Sequence, residues 1–289
     1  MPAPSDREDS NVLITGASSG IGAACALELD RLGWRVFAGV RSPGDGRRLG
    51  DKASGRLAPL QIDVTDSAAI AEAARTLAAA VGPAGLAGLV NNAGIAVAGP
   101  WELLPLEEFR RQLEVNVIGQ VAVTQAFLPL IRAARGRIVF MGSVSGRVAS
   151  PYVGPYAASK HALEAISDSL RVELRPWGIC VSILEPGSVQ TPIWGKARAD
   201  ADRLTRQMSP EGEALYGDQI ARMHAATERI AARGMPVERI VRAVVHALSA
   251  RRPKTRYPLG GDARRFLILS KFLPDRLRDW LLCRALGLP

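Results

Sequence analysis

The chain has 289 residues, 47% apolar and 22% charged, which are values of an ordinary globular domain; they exclude a disordered, collagen-like or coiled-coil chain and allow a full core without staples. Three scattered cysteines (Cys25, Cys180, Cys283) and three histidines (His161, His224, His246) form no CxxC, HxxxH or mixed cluster, so no disulfide framework and no metal site is expected, and a reducing, cytoplasmic setting is the default. The formal net charge of +9 belongs wholly to residues 196–289, with 19 Lys+Arg against 10 Asp+Glu, because residues 1–195 carry 18 of each.

The chain opens on the polar, acidic MPAPSDREDS, which lacks the basic-then-apolar pattern of a signal peptide. No run approaches the ~18 uninterrupted apolar residues of a spanning helix. No repeat or linker composition stands out. From Asn11 to Thr15 the residues read as a buried strand, and a glycine loop follows it. Ile21 to Gly33 is Ala- and Leu-rich and reads as a helix stopped by glycine. Arg35 to Val40 is a second strand and Leu57 to Ile62 a third. Ser67 is expected to cap a helix running to Val81. Leu86 to Val90 is a fourth strand, Leu106 to Ala134 a long helical pattern, and Arg137 to Met141 a fifth strand. Tyr152 to Trp177 reads as a helix and Ile179 to Leu184 as a sixth strand. Gly195 to Met235 is the least patterned stretch; Pro236 to Ala250 is helical, and Thr255 to Leu259 is a last candidate strand. Continuous apolar strands separated by helices predict a parallel sheet covered on both faces. The fold class is therefore α/β, a Rossmann-type doubly wound sheet of about seven strands in a single domain. In such sheets ligands sit outside the strand C-termini.

The first strand end carries Thr15-Gly16-Ala17-Ser18-Ser19-Gly20-Ile21-Gly22. Small residues let backbone approach a pyrophosphate, and the helix that follows offers free N–H groups and a partial positive charge. This spacing resembles the TGxxxGxG signature of the short-chain dehydrogenase/reductase family. Further motifs follow in the family's order. Asp63-Val64 ends strand three, and Asn92-Ala93-Gly94 completes an NNAG that begins at Asn91. Asn116 lies in a helix, Ser143 ends strand five, and Tyr156 and Lys160 form YxxxK. Pro186, Gly187, Val189 and Thr191 follow strand six. The stretch from Gly146-Arg147 through Glu164-Ala165 to Glu185-Pro186-Gly187 narrows the resemblance to the branch with retinol and 17β-hydroxysteroid dehydrogenases. That branch also contains a hydroxybutyrate dehydrogenase.

The resemblance implies a hydride-transferring enzyme. Tyr156 and Lys160 are four residues apart and share a helix face. A free phenol, with a pKa near ~10, is a poor base at neutral pH. A nearby ammonium and the positive nicotinamide of an oxidised cofactor favour the phenolate. Tyr156 is then able to take a proton from an alcohol or give one to a carbonyl oxygen. Ser143 is expected to hydrogen-bond the same oxygen, and Lys160 to hold ribose hydroxyls. By resemblance, Asn116 positions a water that links Lys160 to solvent. Ser145 lies close by, and His161 is expected off the catalytic face.

The cofactor set expected is Gly16, Ser18, Ser19, Gly20, Ile21, Gly22, Arg41, Asp63, Val64, Asn92, Ala93, Gly94, Tyr156, Lys160, Pro186, Gly187, Val189 and Thr191. The acid that often meets a ribose 2′-hydroxyl at the end of strand two is absent, and Arg41 stands there. A guanidinium suits a 2′-phosphate, so NADP(H) is favoured and NAD(H) remains open. For the substrate, Ile95, Val148, Val153 and Trp194 are expected near the catalytic strand ends, with Val97, Met208, Tyr216, Ile220 and Met223 as further apolar candidates. A bulky apolar alcohol or ketone fits best. The alternatives are an NAD-dependent dehydrogenase of small alcohols or hydroxy acids, and a silent dinucleotide-binding sensor.

The core is expected over residues 11–192, a substrate lid over 193–235 and a basic amphipathic extension over 251–289. In the extension Phe266, Leu267, Ile268, Leu269, Leu277, Trp280, Leu281 and Leu288 recur at helical spacing, with Pro274 as a break and Arg264, Arg265, Lys271, Arg276, Arg278 and Arg284 on the polar faces. Peripheral membrane contact is one reading of this pattern. A helix that closes the pocket or packs on a partner subunit is preferred. With 5% aromatic residues and no recognition motif, nucleic acid is not expected. A homodimer or homotetramer is implied by the family.

Overall fold

Leu- and Val-rich runs pair side by side because their backbone groups need partners once both faces are covered. The computed structural model describes residues 10–191, 193–261 and 272–288, with the side chains of Trp194 and Lys196 excepted. Trp194 as a pocket residue, and Arg264, Arg265, Phe266, Leu267, Ile268, Leu269 and Lys271 as an amphipathic face, lie outside that description.

The strands are β1 (Asn11–Ile14), β2 (Arg35–Val40), β3 (Leu57–Gln61), β4 (Gly88–Asn91), β5 (Arg137–Met141), β6 (Cys180–Pro186) and β7 (Arg256–Leu259). They form one sheet in the order β3-β2-β1-β4-β5-β6-β7, and every pair is parallel. The order reverses between β1 and β4, which opens a crevice at their C-terminal ends. This is the seven-stranded doubly wound sheet expected from the alternating pattern.

The helices are α1 (Gly20–Arg31), α2 (Pro43–Gly50), α3 (Ser67–Val81), α4 (Leu106–Leu113), α5 (Gly119–Ala133), α6 (Gly154–Glu173), α7 (Ile193–Arg206), α8 (Pro210–Ala232), α9 (Glu238–Ser249) and α10 (Asp275–Leu286). One core cluster sets Cys25, Ala26 and Leu29 of α1 and Ile240, Val244 and Leu248 of α9 against the sheet. The other sets Leu77 of α3, Phe127 and Ile131 of α5 and Leu163 of α6 on the opposite face. Leu106–Ala133 has a window with mean hydropathy 1.3, long and apolar enough to cross a membrane. Its apolar face is the one that supplies Val123, Phe127 and Ile131 to the core.

Several local expectations shift. The cap of α3 is Asp66 rather than Ser67: its carboxylate accepts from the Ala68 and Ala69 amides at 2.8 and 3.1 Å. A charged acceptor at this position also meets the positive end of the helix. Helix α6 starts at Gly154, two residues late, because Tyr152 has φ +64°, outside the helical region. A separate 3₁₀ turn, Arg175–Trp177, follows it. The unpatterned stretch after residue 192 folds into two helices, with Ser209 accepting from the Gly212 amide at 3.1 Å to start α8.

Candidate active site

The loop between β1 and α1 is folded tightly onto the end of β4. Gly16 has φ +65°, and a Cβ there would stand 2.8 Å from Ala93 Cα. A Cβ on Gly22 would stand 2.3 Å from the Gly16 carbonyl oxygen. Thr15 Oγ1 accepts from the Asn92 and Ala93 amides at 3.0 and 3.1 Å, and Asn92 Nδ2 donates to the Thr15 and Gly16 carbonyls at 2.9 and 3.2 Å. Ser19 at the start of α1 makes no cap bond to its own helix, which leaves first-turn amides for an anion.

This loop is one wall of a cavity of about 400 Å³. Gly16, Ser18, Ser19, Gly20 and Ile21 line it, whereas Gly22 lies beneath, as packing support. Arg41 comes from the end of β2, Asp63 and Val64 from β3, and Asn92, Ala93, Gly94 and Ile95 from β4. Pro186, Gly187, Val189 and Thr191 close it from β6. Asp63 is partly committed, since its Oδ1 accepts from the Thr65 amide and hydroxyl at 3.0 and 2.8 Å. Ile95 thus faces the glycine-loop cavity rather than the apolar one described below.

Asn116 lies in a π-helical turn, Glu114–Ile118, between α4 and α5. The wide turn directs the Asn116 side chain inward. Asn116 is fully buried. Its Oδ1 accepts from the Ile95 amide at 2.8 Å, and its Nδ2 donates to the Ile95 carbonyl at 3.0 Å and to Ser159 Oγ at 3.1 Å. The Asn116 side chain thus braces the Ile95 loop. Gln112 joins it, accepting from the Val97 amide at 2.7 Å and donating to the Ile95 carbonyl at 3.1 Å. Sequence reading missed Gln112 and Ser159. The available signal was the pair Gln112/Asn116, four apart and so on one helical face.

Tyr156, Lys160 and Ser143 converge at the C-terminal ends of β5 and β6. Lys160 is buried, and its Nζ donates to the Met141 carbonyl at 2.7 Å. It stands 5.5 Å from the centre of the Tyr156 ring. Ser143 Oγ accepts from the Ser145 amide at 3.1 Å and lies 3.5 Å from the Pro186 carbonyl. Burial pushes the Tyr156 phenol above its ordinary pKa, and a hydrogen bond with Ser143 pulls the other way without overcoming it. Burial pulls the Lys160 ammonium down to about 8. His161 is exposed and turns to the Ala157 carbonyl at 2.9 Å.

Beyond Tyr156 a second cavity, of about 310 Å³, opens between α7, α8 and the loop 96–104. Val153, Met208, Ile220 and Met223 line it together with Ser145 and Tyr152. Leu103 and Leu104 form a wall that sequence reading missed. Val148 and Val97 are buried away from it. Tyr216 faces outward, its hydroxyl donating to Glu102 at 2.5 Å. Among the described residues Tyr156 alone lines both cavities. Ion pairs hold α7 in place: Arg111 to Asp200 at 3.0 Å and Arg203 to Glu108 at 2.7 Å join it to α4, and Arg198 to Glu228 joins it to α8. Helix α10 sits on α8, where Leu286 packs on Met223 and Ala226, and Tyr152 joins the same cluster.

Comparison with known proteins agrees with this geometry. Residues 10–202 match the model of the short chain dehydrogenase family. Retinol dehydrogenase 5 of Mus musculus is 38% identical over 286 residues, covering 96% of this chain and 90% of its own length. NADPH-dependent 3-dehydrocapnine reductase of Ornithobacterium rhinotracheale is 37% identical, covering 92% of this chain and 94% of its own length. A crystal structure of a short-chain dehydrogenase from Streptomyces avermitilis superposes with a TM-score of 0.76 at 28% identity, covering 94% of both chains. The chain belongs to the short-chain dehydrogenase/reductase family and is an oxidoreductase acting on CH–OH donors.

Proposed function

We propose that this enzyme transfers a hydride between NADP(H) and the alcohol or ketone of a bulky apolar substrate of steroid, retinoid or acyl type. The observation that carries this reading is the position of Tyr156, which lines both a dinucleotide-sized cavity and an apolar one. The glycine cradle fits the cofactor, since any Cβ on Gly16 or Gly22 would collide with backbone. The bound dinucleotide supplies or accepts the hydride. The chain's own residues handle the proton. In reduction, the half-buried Tyr156 phenol donates to the substrate oxygen while Ser143 steadies that oxygen. The Lys160 ammonium beside the ring lowers the cost of the phenolate that remains. In oxidation the same proton moves the other way.

A purified sample offered steroids, retinoids, acyl ketones and small alcohols, each with NADPH/NADP and NADH/NAD, tests the reading. Bulky apolar substrates should give the highest kcat/KM. Turnover confined to small alcohols would overturn it.

Arg41 supports NADP(H). It is exposed at the mouth of the cofactor cavity and no acid shares its strand end. Replacing Arg41 with alanine should weaken NADPH by about tenfold to a hundredfold, the range for a charge-assisted contact to phosphate, and leave NADH within about twofold. Equal losses for both cofactors would assign Arg41 no role at the 2′-phosphate.

The working form is proposed to be a cytoplasmic homo-oligomer. Ile118, Val172 and Trp177 are 53, 63 and 45% exposed, an apolar surface that a partner subunit would cover. The inner face of α10 supports its role as a pocket-closing helix.

A further inference from the structure

Directly behind the catalytic lysine, two carboxylates are buried together. Glu164 lies one helical turn after Lys160, with its side chain 9% exposed. Glu185 precedes Pro186 at the end of β6, with its side chain 4% exposed. Arg256 of β7 reaches both, at 3.1 Å from Glu164 Oε2 and 3.4 Å from Glu185 Oε1. Its Nη2 stands 2.6 Å from Asp168, which also pairs with Arg171 at 3.0 Å. Arg147, just after the Ser143 turn, stands 3.7 Å from each carboxylate. These are the charged groups presented to the pair by α6, β6, β7 and the Ser143 turn; Lys160 aims its ammonium away, at Met141.

Oε1 of Glu164 and Oε1 of Glu185 are nonetheless buried without a hydrogen-bond donor. Glu164 Oε2 and Glu185 Oε1 both close on the same two nitrogens, Arg256 Nε and Arg147 Nη1, so the two carboxyl groups lie side by side. Two ionised carboxylates offer acceptors only, so one proton between them satisfies what the arginines leave open. Burial and the neighbouring charge of Glu185 push Glu164 up to about 7, and the proton belongs to the pair.

The pair sits where the working segments of the site meet. Gly146 is pressed against the Lys160 turn: a Cβ there would stand 2.8 Å from the Lys160 carbonyl oxygen and 3.3 Å from Glu164 Cγ. On the other side, the Pro186 carbonyl lies 3.5 Å from Ser143 Oγ. We propose that Glu164 and Glu185 share one proton and act together as positioning residues, holding the Lys160 turn, the Ser143 turn and the Pro186–Gly187 strand end in register. Loss of that proton sets two buried anions side by side, and the three segments they brace move apart.

The sign follows from linkage. A carboxyl that keeps its proton longer in the folded state stabilises that state at low pH, and the gain is lost as pH rises toward about 7. Glu164→Gln supplies a permanent donor to Glu185. The wild-type Tm should fall between about pH 5 and about pH 8, whereas the variant should stay level and lie about 4 °C higher at the alkaline end. NADH serves as the site probe, because its pyrophosphate does not titrate in this range and it lacks a 2′-phosphate that would. Between about pH 5 and about pH 7, below the Lys160 titration near 8, its Kd should weaken several-fold with pH in the wild type and stay constant in the variant. A variant that keeps the wild-type slope in Tm overturns the shared proton. A level Tm with an unchanged pH dependence of Kd overturns the positioning role. Should Glu164→Gln not fold, Glu185→Gln carries the same test. Calorimetric unfolding of the wild type near pH 6 should then release close to one proton, and release of none overturns the proposal.

Discussion

Replacing Tyr156 with phenylalanine should lower turnover by about 10²- to 10⁴-fold, the range that one positioned acid–base group contributes. The ring would stay in place, because it is held by its position on α6 between the two cavities, and Lys160 would keep its bond to the Met141 carbonyl. Only the proton carrier is removed. Dinucleotide affinity, read by cofactor fluorescence, should therefore change by less than about threefold, well under 1 kcal/mol. The split between kcat and Kd is the diagnostic. Full turnover by the phenylalanine variant would remove Tyr156 from the mechanism. A parallel collapse of cofactor affinity would show that the hydroxyl shapes the site rather than moving a proton.

The second large effect is expected at Asn116. Its amide makes three buried bonds, two to Ile95 and one to Ser159. Alanine would leave the Ile95 amide and carbonyl without this partner, although Gln112 still reaches that carbonyl. Each buried group left open costs about 1–3 kcal/mol. A loss of about 3 kcal/mol in total corresponds to a fall in Tm of roughly 6–12 °C at this chain length. Ile95 also lines the cofactor cavity, so dinucleotide affinity should fall together with stability. Asn116→Asp keeps the acceptor for the Ile95 amide but turns a carboxylate against the Ile95 carbonyl, and should be no more stable than alanine. A variant with unchanged Tm and altered activity would return Asn116 to the role expected from resemblance, the holding of a proton-relay water.

These expectations rest on different parts of the molecule's information. The glycine loop was legible because its chemistry is local: Gly16 to Gly22 lie within one turn between a strand and a helix, and the backbone demands small residues there. Tyr156 and Lys160 were legible for the same reason, four residues apart on one helix. The cap at Asp66 was misjudged by one residue, because a sequence shows two adjacent capping types without showing which backbone turns first. The two helices α7 and α8 were missed because their apolar residues face a cavity and α10 instead of a single flat sheet, which blurs the periodicity of each.

The basic excess of residues 196–289 also looks different once folded. Arg198 and Arg203 hold α7 to α8 and α4, and Arg256 pairs with the buried Glu164 and Glu185. Leu277, Trp280 and Leu281 on α10 stay 44, 54 and 40% exposed, while Leu286 of the same helix is buried against the lid.

By itself the sequence determined the sheet class, the close-packed glycine loop, the placing of Tyr156 and Lys160 one turn apart on a helix and the absence of an acid at the end of β2, because each depends on neighbours a few residues apart. Only the tertiary structure decided that Asn116 braces Ile95 across 21 residues, that Glu164 meets Glu185 and Arg256, and that Tyr156 stands between two cavities. Those contacts join separate strands and helices, and their partners are selected by how the elements pack rather than by spacing along the chain.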